Sequence, residues 1–329
     1  MHSKQKILIT GASGFLGFHL VQSALEMGLD VVAGVRRSSN TKHLQAFPVR
    51  YVYPHFDNIN SLENEFDKQQ YDYIIHAAGI TKAKKEEDFT NVNARYTHNI
   101  ATAASKMSSL KKIVFISSLA AVGPLESMDG EITEHTTPQP VTDYGKSKLL
   151  AEQQLIAMDM PWLILRPTAI YGPREKDIFI LLRMIRNGLE PYIGNMPQQL
   201  SFIHVGDVAD AAVNALFSRQ EKNIYNLADG NSYNRYELAG ITKSVLKKRT
   251  IKFYLPIGFV RSLAGALETT YDVFNKVPAL NKDKIQELTA SNWNCSITKA
   301  AHELGFNPSY TLEEGLTQTL QWYKRHKWL

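Results

Sequence analysis

The chain has almost no cysteine and no long apolar run. Its 329 residues include one cysteine, Cys295, so no disulfide can form within the chain. No apolar stretch approaches the ~20 residues that a membrane-spanning helix needs, and residues 1–6 lack the apolar core of a secretory signal. We therefore expect a soluble protein of the reducing cytoplasm, with no membrane insertion.

The chain also lacks a strong excess of charge of either sign. The formal net charge is +5, from 37 basic and 32 acidic residues. The densest basic clusters lie at residues 243–252 and 324–327, and we interpret both as solvated surface rather than as binding patches. We expect no nucleic-acid partner, and we assign no metal ligands.

Glycines recur at Gly11, Gly14 and Gly17, directly after the apolar run at residues 7–10. The first two let the backbone turn off a strand and approach a phosphate, and the third lets the next helix pack closely. Residues 15–27 are predicted to form that helix, whose free N–H groups and dipole favour an anion. The diphosphate-binding loop is predicted to consist of Gly11, Ser13, Gly14, Phe15, Leu16 and Gly17.

Short β-branched runs alternate with longer helical stretches between residues 6 and 173. This pattern is typical of an α/β fold with a parallel sheet that helices cover on both faces. We predict strands at residues 7–10, 31–35, 50–53, 73–76, 113–116 and 162–165. Right-handed crossovers between them give a doubly wound sheet of the Rossmann type, with a ligand crevice at the carboxyl ends of the strands.

The end of the second strand indicates which dinucleotide is preferred. A protein that binds NAD normally has an Asp or Glu there to hold the ribose hydroxyls. This chain has Arg36, Arg37 and Ser38 instead, and guanidinium groups suit a 2′-phosphate that a carboxylate would repel. We predict NADP(H) as the preferred cofactor, with NAD(H) as the alternative if the arginines are only solvated loop residues.

Two further loops are candidates for cofactor contact. Asp57 and Asn58 follow the third strand, where they either meet the adenine or serve as turn residues. The fourth strand ends in small residues against which a cofactor can lie, namely Ala77, Ala78 and Gly79. We interpret His76, immediately before them, as a packed core residue rather than a base.

Three polar residues predict the chemical centre. Ser118 stands just after the fifth strand, and Tyr144 and Lys148 lie four apart in a predicted helix, so these two share one face. A free tyrosine has a pKa of about 10, and a nearby cation lowers it toward the working pH. Tyr144 can then exchange a proton with a carbonyl or hydroxyl oxygen that Ser118 also hydrogen-bonds.

Together these residues resemble the extended short-chain dehydrogenase/reductase superfamily, in its NAD-dependent epimerase/dehydratase group. The glycine loop, Ser118 and the Tyr144-x-x-x-Lys148 pair carry the resemblance. Matching segments follow in the family's order along nearly the whole chain: Asn91-Val-Asn93, Arg166-Pro-Thr-Ala-Ile-Tyr-Gly-Pro173, Phe202-Ile-His-Val-Gly-Asp207, Glu303-Leu-Gly-Phe-Asn-Pro308, Leu312-Glu-Glu-Gly315 and Trp322-Tyr323.

The resemblance implies how the rest of the molecule is arranged. The nicotinamide is expected between Pro167 and Ile170, and Lys148 is expected to bond the nicotinamide ribose as well. Residues 202–217 should return to the first domain as a helix, and residues 224–228 as a seventh strand. The implied domains are an NADP-binding Rossmann domain (1–171 and 202–229) and a smaller, mostly helical substrate lobe (172–201 and 230–329). A homodimer through the helices of the fourth and fifth crossovers is what the family suggests.

Two departures from the family bear on the substrate. Sugar-nucleotide epimerases typically clamp the substrate diphosphate with an arginine where this chain has Leu200, and they carry a second basic and acidic pair where it has residues 291–296. A diphosphate without these partners loses charge-assisted hydrogen bonds worth on the order of a few kcal/mol. Nucleotide sugars are therefore disfavoured as substrates.

The stretch at residues 253–280 is rich in aromatic and aliphatic side chains. It resembles the region that covers the substrate in the dihydroflavonol reductase and 3β-hydroxysteroid dehydrogenase branches. The alternative is simple packing of the lobe or a dimer contact. A hydrophobic substrate wall over this stretch would point to an apolar small-molecule substrate.

Our hypothesis from the sequence is an NADP(H)-dependent oxidoreductase that acts on a carbonyl or alcohol of a mostly apolar small molecule. Tyr144 would be the acid/base, Ser118 would orient the reacting oxygen, and Lys148 would support both. The alternatives are a nucleotide-sugar epimerase or dehydratase that uses bound NAD(P), and a non-catalytic dinucleotide sensor or scaffold.

Overall fold

The strands predicted from the sequence are present in the structure. The computed structural model describes residues 4–273 and 281–329. Its strands are β1 (Lys6–Thr10), β2 (Asp30–Gly34), β3 (Arg50–Val52), β4 (Tyr73–His76), β5 (Lys112–Ile116), β6 (Trp162–Pro167), β7 (Ala169–Tyr171), β8 (Leu189–Ile193), β9 (Gln199–Leu200), β10 (Phe202–His204), β11 (Asn223–Leu227), β12 (Tyr233–Asn234) and β13 (Ile251–Leu255). The six strands predicted from residue 7 to residue 165 are β1 to β6, with ends that differ by at most two residues.

Helices connect these strands. They are α1 (Phe15–Glu26), α2 (Ile59–Gln69), α3 (Glu86–Phe89), α4 (Tyr96–Ser105), α5 (Asp143–Ile156), α6 (Asp177–Arg186), α7 (Val205–Phe217), α8 (Glu237–Leu246), α9 (Ile257–Val273), α10 (Lys282–Thr289), α11 (Thr298–Leu304) and α12 (Leu312–Arg325). A π-helical segment, Thr90–Arg95, joins α3 to α4, and 3₁₀ turns occur at Lys42–Leu44 and Leu119–Ala121.

Seven parallel strands form the central sheet, in the order β3-β2-β1-β4-β5-β6-β11. β1 lies between β2 and β4, so that Ile9 pairs with Ala33 on one side and with Ile75 on the other. The strand order reverses between β1 and β4, which opens a crevice at the carboxyl ends of these strands. The doubly wound, Rossmann-type fold predicted from the sequence is confirmed.

Helices cover both faces because successive strand residues point to opposite sides of a sheet. In β1, Ile7 and Ile9 join the core that includes α1 and α7, whereas Leu8 joins the core that includes α2, α4 and α5. All three side chains are fully buried. β1 is therefore fixed from both faces, and the glycine loop that follows it has a rigid base.

The segment predicted as one helix over residues 202–217 is divided. Residues 202–204 form β10, which pairs with β7, and α7 begins only at Val205. The division occurs because His204 caps the helix: its Nδ1 accepts a hydrogen bond from the Gly206 N–H at 3.2 Å. The predicted seventh strand is present as β11, paired with β6.

A separate core joins late segments of the chain. Helices α6, α8 and α12 share a cluster that includes Leu182, Leu238, Leu316 and Tyr323. Residues on both sides of the seventh strand therefore pack together outside the central sheet. The domain boundaries given above stay a prediction. Within the two described ranges, no helix combines the length and the apolarity needed to cross a bilayer.

Candidate active site

The glycine loop connects β1 to α1 at the carboxyl edge of the sheet. Gly11 has a φ of +71°, and a Cβ built on it would lie 2.7 Å from the carbonyl oxygen of Ala77. A Cβ on Gly17 would overlap the carbonyl oxygen of Gly11. Both positions therefore require glycine for the close approaches that the sequence predicted.

The first turn of α1 has the properties of an anion site. Its N-cap residue is Gly14, which supplies no side-chain hydrogen bond to the helix. The free N–H groups of the first turn and the helix dipole both favour a negative charge there. This arrangement fits the diphosphate of a dinucleotide, with Ser13, Phe15 and Leu16 beside it.

The loop after β4 lies against the glycine loop. The Ala78 N–H donates to Thr10 Oγ1 at 3.1 Å, and a Cβ on Gly79 would stand 3.0 Å from Asn93 Oδ1. Asn93 is itself held, since it accepts from the Ile80 N–H at 2.8 Å. Small residues at 77–79 thus leave backbone accessible at the crevice, as a cofactor-contacting loop requires.

His76 is a core residue, as predicted. Its side chain is fully buried, and its ring nitrogens lie 2.7 Å from Thr10 Oγ1 and 3.0 Å from Thr97 Oγ1. Burial lowers the pKa of His76 to about 3. A neutral imidazole fixed between two hydroxyls stabilises the β1–β4 junction and is not placed to exchange protons with a ligand.

Two exposed arginines follow β2. Arg36 and Arg37 are solvent-accessible, and the Arg37 guanidinium lies 4.9 Å from the centre of the Tyr53 ring. Asn58 has the turn role that the sequence left open, because its Oδ1 accepts from the Ser61 N–H and caps α2. Asp57 precedes it and is exposed.

The loop after β6 is placed on the other side of the crevice. Pro167 ends β6 and Ile170 lies in β7, with Ile170 packed against the core under α7. Between them, the buried Thr168 Oγ1 has no hydrogen-bond partner among the described residues. An unpartnered buried hydroxyl in this loop suits a polar ligand group such as a carboxamide.

Ser118, Tyr144 and Lys148 meet at the end of β5. Ser118 caps the 3₁₀ turn that follows the strand, with its Oγ accepting from the Ala120 N–H at 3.2 Å, and its side chain lies close enough to Tyr144 to act on the pKa of the phenol. Lys148 Nζ donates to the Ile116 carbonyl oxygen at 2.6 Å and lies 4.2 Å from the centre of the Phe115 ring. The three side chains that the sequence grouped together are therefore in one place.

The close packing of α5 brings them there. A Cβ on Gly145 would overlap the carbonyl oxygen of Ala120, so the helix touches the turn after Ser118. Thr142 caps the helix by accepting from the Gly145 N–H at 3.0 Å. Asp283 of α10 adds a second acceptor, with its Oδ2 3.0 Å from the Asp143 nitrogen.

The expected fall in the pKa of Tyr144 is wrong for this structure. Burial raises the pKa of Tyr144 to about 12, with the Glu287 charge adding to the rise and the Ser118 hydrogen bond opposing it. Burial also lowers the pKa of Lys148 to about 7, with Glu152 opposing that fall. Desolvation disfavours the charged form of both groups.

A buried charge network beneath the site was missed from the sequence. Glu152 accepts two hydrogen bonds from Arg166, at 2.9 Å from Nε and 2.5 Å from Nη2, and it also pairs with the Ser117 hydroxyl. Glu152 is fully buried and Arg166 is nearly so. The sequence spacing indicated that Glu152 lies near the site, since Glu152 follows Lys148 by four residues on the same helix face.

The resemblance places the diphosphate clamps at Leu200 and in residues 291–296, a segment that includes Asn292. Leu200 packs into the core of α6, α8 and α12. Asn292 is fully buried, and its Nδ2 donates to the carbonyl oxygens of Ser127 and Gly130. Neither residue offers a cation to a ligand.

The chain is similar to proteins of a known family. The model of the NAD dependent epimerase/dehydratase family matches residues 7–228. The chain belongs to that family. The match begins in β1 and ends just after β11, so it covers the central sheet and its crevice.

Two curated relatives of this protein differ from each other in activity. The UDP-glucose 4-epimerase of Vibrio cholerae is 28% identical, over 96% of this chain and 95% of its own length. The ceramide reductase of Caulobacter vibrioides is 27% identical, over 98% and 96%. The Thermus thermophilus UDP-glucose 4-epimerase, solved with NAD, superposes with a TM-score of 0.78 at 22% identity, over 97% of this chain and 99% of that one.

Replacing Gly145 with alanine is expected to destabilise the protein by about 2 kcal/mol or more, because the new methyl group overlaps the Ala120 carbonyl oxygen. Gly240→Ala in α8 is the matched control, since a Cβ there meets nothing within 4 Å. Helix propensity alone should make the control more stable by about 0.5–1 kcal/mol. Urea denaturation measures both, and stabilisation of both variants would contradict the close helix approach.

Replacing Glu152 with glutamine is expected to cost about 3–5 kcal/mol, because the buried Arg166 charge loses its partner. The same change in an exposed pair, Asp159→Asn opposite Lys222, should leave stability almost unchanged, since the Asp159 side chain is 99% exposed. Guanidinium denaturation distinguishes the two. A small effect at both positions would mean that the Glu152–Arg166 pair contributes little.

Proposed function

We propose that the protein is an NADP(H)-dependent oxidoreductase that reduces a carbonyl, or oxidises the corresponding alcohol, on a mostly apolar small molecule. The observation that carries this proposal is the meeting of Ser118, Tyr144 and Lys148 at the end of β5. A proton donor, an orienting hydroxyl and a lysine amino group lie together at the crevice of a dinucleotide-type fold. Membership of an NAD-dependent enzyme family supports the same conclusion.

The cofactor would lie across the crevice. Gly11 to Gly17 would hold its diphosphate, the loop at 77–79 would lie along it, and Pro167 to Ile170 would flank the nicotinamide. When bound, the nicotinamide supplies or accepts the hydride at the substrate carbon. Arg36 and Arg37 are exposed where the adenosine 2′-phosphate would be, which is why we favour NADP(H) over the NAD seen in the solved relative.

The protein residues would handle the proton. In the reducing direction, the Tyr144 phenol gives its proton to the substrate oxygen, and the Ser118 hydroxyl holds that oxygen by a hydrogen bond. Protonated Tyr144 is the ready form, because its raised pKa of about 12 keeps it neutral at neutral pH. Lys148, buried beneath it, would favour the phenolate that forms when the proton leaves.

Several observations support an apolar substrate. Leu200 and Asn292 present no cation. The two terminal nitrogens of Arg235 donate to the carbonyl oxygens of Met196, Ile193 and Gly194, whereas its buried Nε has no hydrogen-bond partner among the described residues. The ceramide reductase relative acts, by its name, on a lipid. The diphosphate of a sugar nucleotide would find no cation at positions 200 and 292.

The proposed wall at residues 253–280 needs revision. Leu255 and Val260 pack inward against Ile285, which is the arrangement that simple packing of the lobe predicts. Phe259 and Leu263 are exposed, and residues 274–280 lie outside the described part of the chain. The wall is therefore not an argument for the apolar substrate.

A nucleotide-sugar epimerase is the second candidate, because the Vibrio cholerae enzyme is as similar to this chain as the reductase is. In an epimerase the hydride taken from the sugar is returned to it, so no net oxidation occurs. The two candidates share the Tyr144 chemistry and differ in substrate and in net cofactor turnover.

Replacing Arg36 with aspartate should weaken NADPH binding by roughly 10- to 100-fold, since one charge-assisted contact is lost and a repulsion is added. NADH binding should change little, because an acidic residue here suits free ribose hydroxyls. Fluorescence titration of both nucleotides measures this. Arg219→Asp, the same change at an exposed position before β11, is the control; equal losses for both nucleotides in Arg36→Asp would contradict the assignment.

Turnover separates the two functions. With NADPH present, the purified protein is expected to consume the nucleotide with a long-chain or steroidal ketone and not with UDP-glucose. Tyr144→Phe should abolish turnover and leave the NADPH dissociation constant within about twofold, because the phenol acts in proton transfer. Tyr310→Phe, in which the lost hydroxyl accepts a hydrogen bond from the Gln318 side chain at 3.2 Å, is the control.

Three outcomes would count against the proposal. Interconversion of UDP-glucose and UDP-galactose without net NADPH loss would favour the epimerase. Loss of NADPH binding in Tyr144→Phe would make the tyrosine structural. A protein that binds NADPH and turns over neither class would favour the sensor or scaffold.

A further inference from the structure

Arg174 differs from the other arginines that are withdrawn from solvent. In the described part of the chain, three arginines are buried or half-buried: Arg166, Arg174 and Arg235. Arg166 pairs with Glu152, and Arg235 donates to three backbone carbonyl oxygens. The Arg174 guanidinium lies against two aromatic rings, and no described residue accepts a hydrogen bond from it or forms an ion pair with it. Because a cation withdrawn from water without a partner is costly, the free donors of Arg174 favour an anion.

The carboxylate next to Arg174 in the sequence serves another element. Glu175 caps α6, and its oxygens accept from three N–H groups at 2.6–3.2 Å, those of Asp177, Ile178 and Phe179. Arg174 itself has a φ of +79°, a left-handed conformation that is uncommon outside glycine. The two neighbouring side chains thus lie on different elements, Glu175 at the start of α6 and Arg174 on the surface of α1.

Arg174 lies over the start of α1, the helix that follows the glycine loop. Its Cζ is 4.1 Å from the centre of the Phe18 ring. The Phe18 N–H donates to the Gly14 carbonyl oxygen at 3.2 Å, and side chains of a helix point back toward its N-terminus. The His43 ring is 5.8 Å from the Phe18 ring, centre to centre. Burial lowers the pKa of His43, the Arg174 charge adds to that fall, and the Ser13 backbone opposes it. Arg174 and His43 therefore reach the start of α1 from two separate loops.

We propose that Arg174 binds a phosphate group of the dinucleotide, next to the first turn of α1. A guanidinium can donate two parallel hydrogen bonds to phosphate oxygens, and stacking on the Phe18 face leaves its N–H groups free to do so. The Trp322 ring of α12 also lies 5.8 Å from Cζ, so aromatic contacts hold the guanidinium without using its donors. The inference rests on the proposed use of a dinucleotide, and it adds a cation from the loop after β7 to the arginines that follow β2.

Nucleotide binding by Arg174 variants tests the proposal and identifies the phosphate. Arg174→Gln should raise the dissociation constant roughly tenfold or more, because a charge-assisted contact is lost. The loss should affect NADH and NADPH alike if Arg174 binds the diphosphate, and NADPH alone if it binds the 2′-phosphate. Arg174→Lys, which keeps the charge and loses the planar fork, should bind with intermediate affinity. Fluorescence titration of the purified protein with each nucleotide measures these constants.

Arg183→Gln is the matched control. Arg183 is exposed in α6 and lies 5.9 Å from the centre of the Phe179 ring, so the change removes the same kind of arginine–aromatic contact. Its dissociation constants should equal those of the wild type. Thermal unfolding without nucleotide is the second readout. Arg174→Gln should unfold at nearly the wild-type temperature, because the change breaks no hydrogen bond or ion pair with a described residue.

Three results would overturn the proposal. They are a wild type that binds neither nucleotide, an Arg174→Gln variant that binds both as tightly as the wild type, and a lower unfolding temperature of that variant with unchanged dissociation constants. The last result would make Arg174 a packing contact between α1 and α12. The titrations need no substrate. Failure of ketone turnover together with weakened nucleotide binding in Arg174→Gln would therefore reject the proposed oxidoreductase and leave the phosphate contact standing, whereas the reverse pair of results would reject only the phosphate contact.

Discussion

The close contact of α5 with the end of β5 is the constraint on which the candidate site depends. Gly145 has no side chain, so the helix touches the turn that follows Ser118. At this distance the Lys148 Nζ donates a hydrogen bond to the Ile116 carbonyl oxygen, and the Tyr144 phenol lies near Ser118. A helix one methyl group farther out would keep the fold and lose this geometry, because hydrogen bonds weaken steeply beyond their normal length.

The same contact explains the charge state of the site. Tyr144 and Lys148 are both withdrawn from water, and each is driven toward its neutral form. Below them, Arg166 compensates the negative charge of Glu152, and Arg166 and Ser117 both donate hydrogen bonds to its carboxylate oxygens. The hydrogen bonds of the charge network under the site are thus complete. The groups that face the crevice, those of Ser118 and Tyr144, can form further hydrogen bonds. A bound oxygen that accepts a hydrogen bond from the Lys148 ammonium would move the Lys148 pKa back toward its ordinary range.

The sequence predicted the parts of the molecule that local patterns determine. Strands β1 to β6, the glycine loop and the Ser118, Tyr144 and Lys148 group follow from β-branched runs, glycine spacing and helical periodicity. Parts that depend on distant partners were not predictable in this way. Residues 202–204 became a strand because β7 lies beside them, and the pKa of Tyr144 rose because of burial, which spacing alone does not reveal.

Similarity to known proteins leaves the substrate open for a structural reason. An epimerase and a reductase are equally similar to this chain, and both activities need the same cofactor crevice and the same proton donor. The family match ends at residue 228, before α8 and α12, which pack with α6 outside the central sheet. Leu200 lies within the match and Asn292 beyond it. Under the proposed function, substrate choice depends on such side chains, which can change while the group at the end of β5 stays the same.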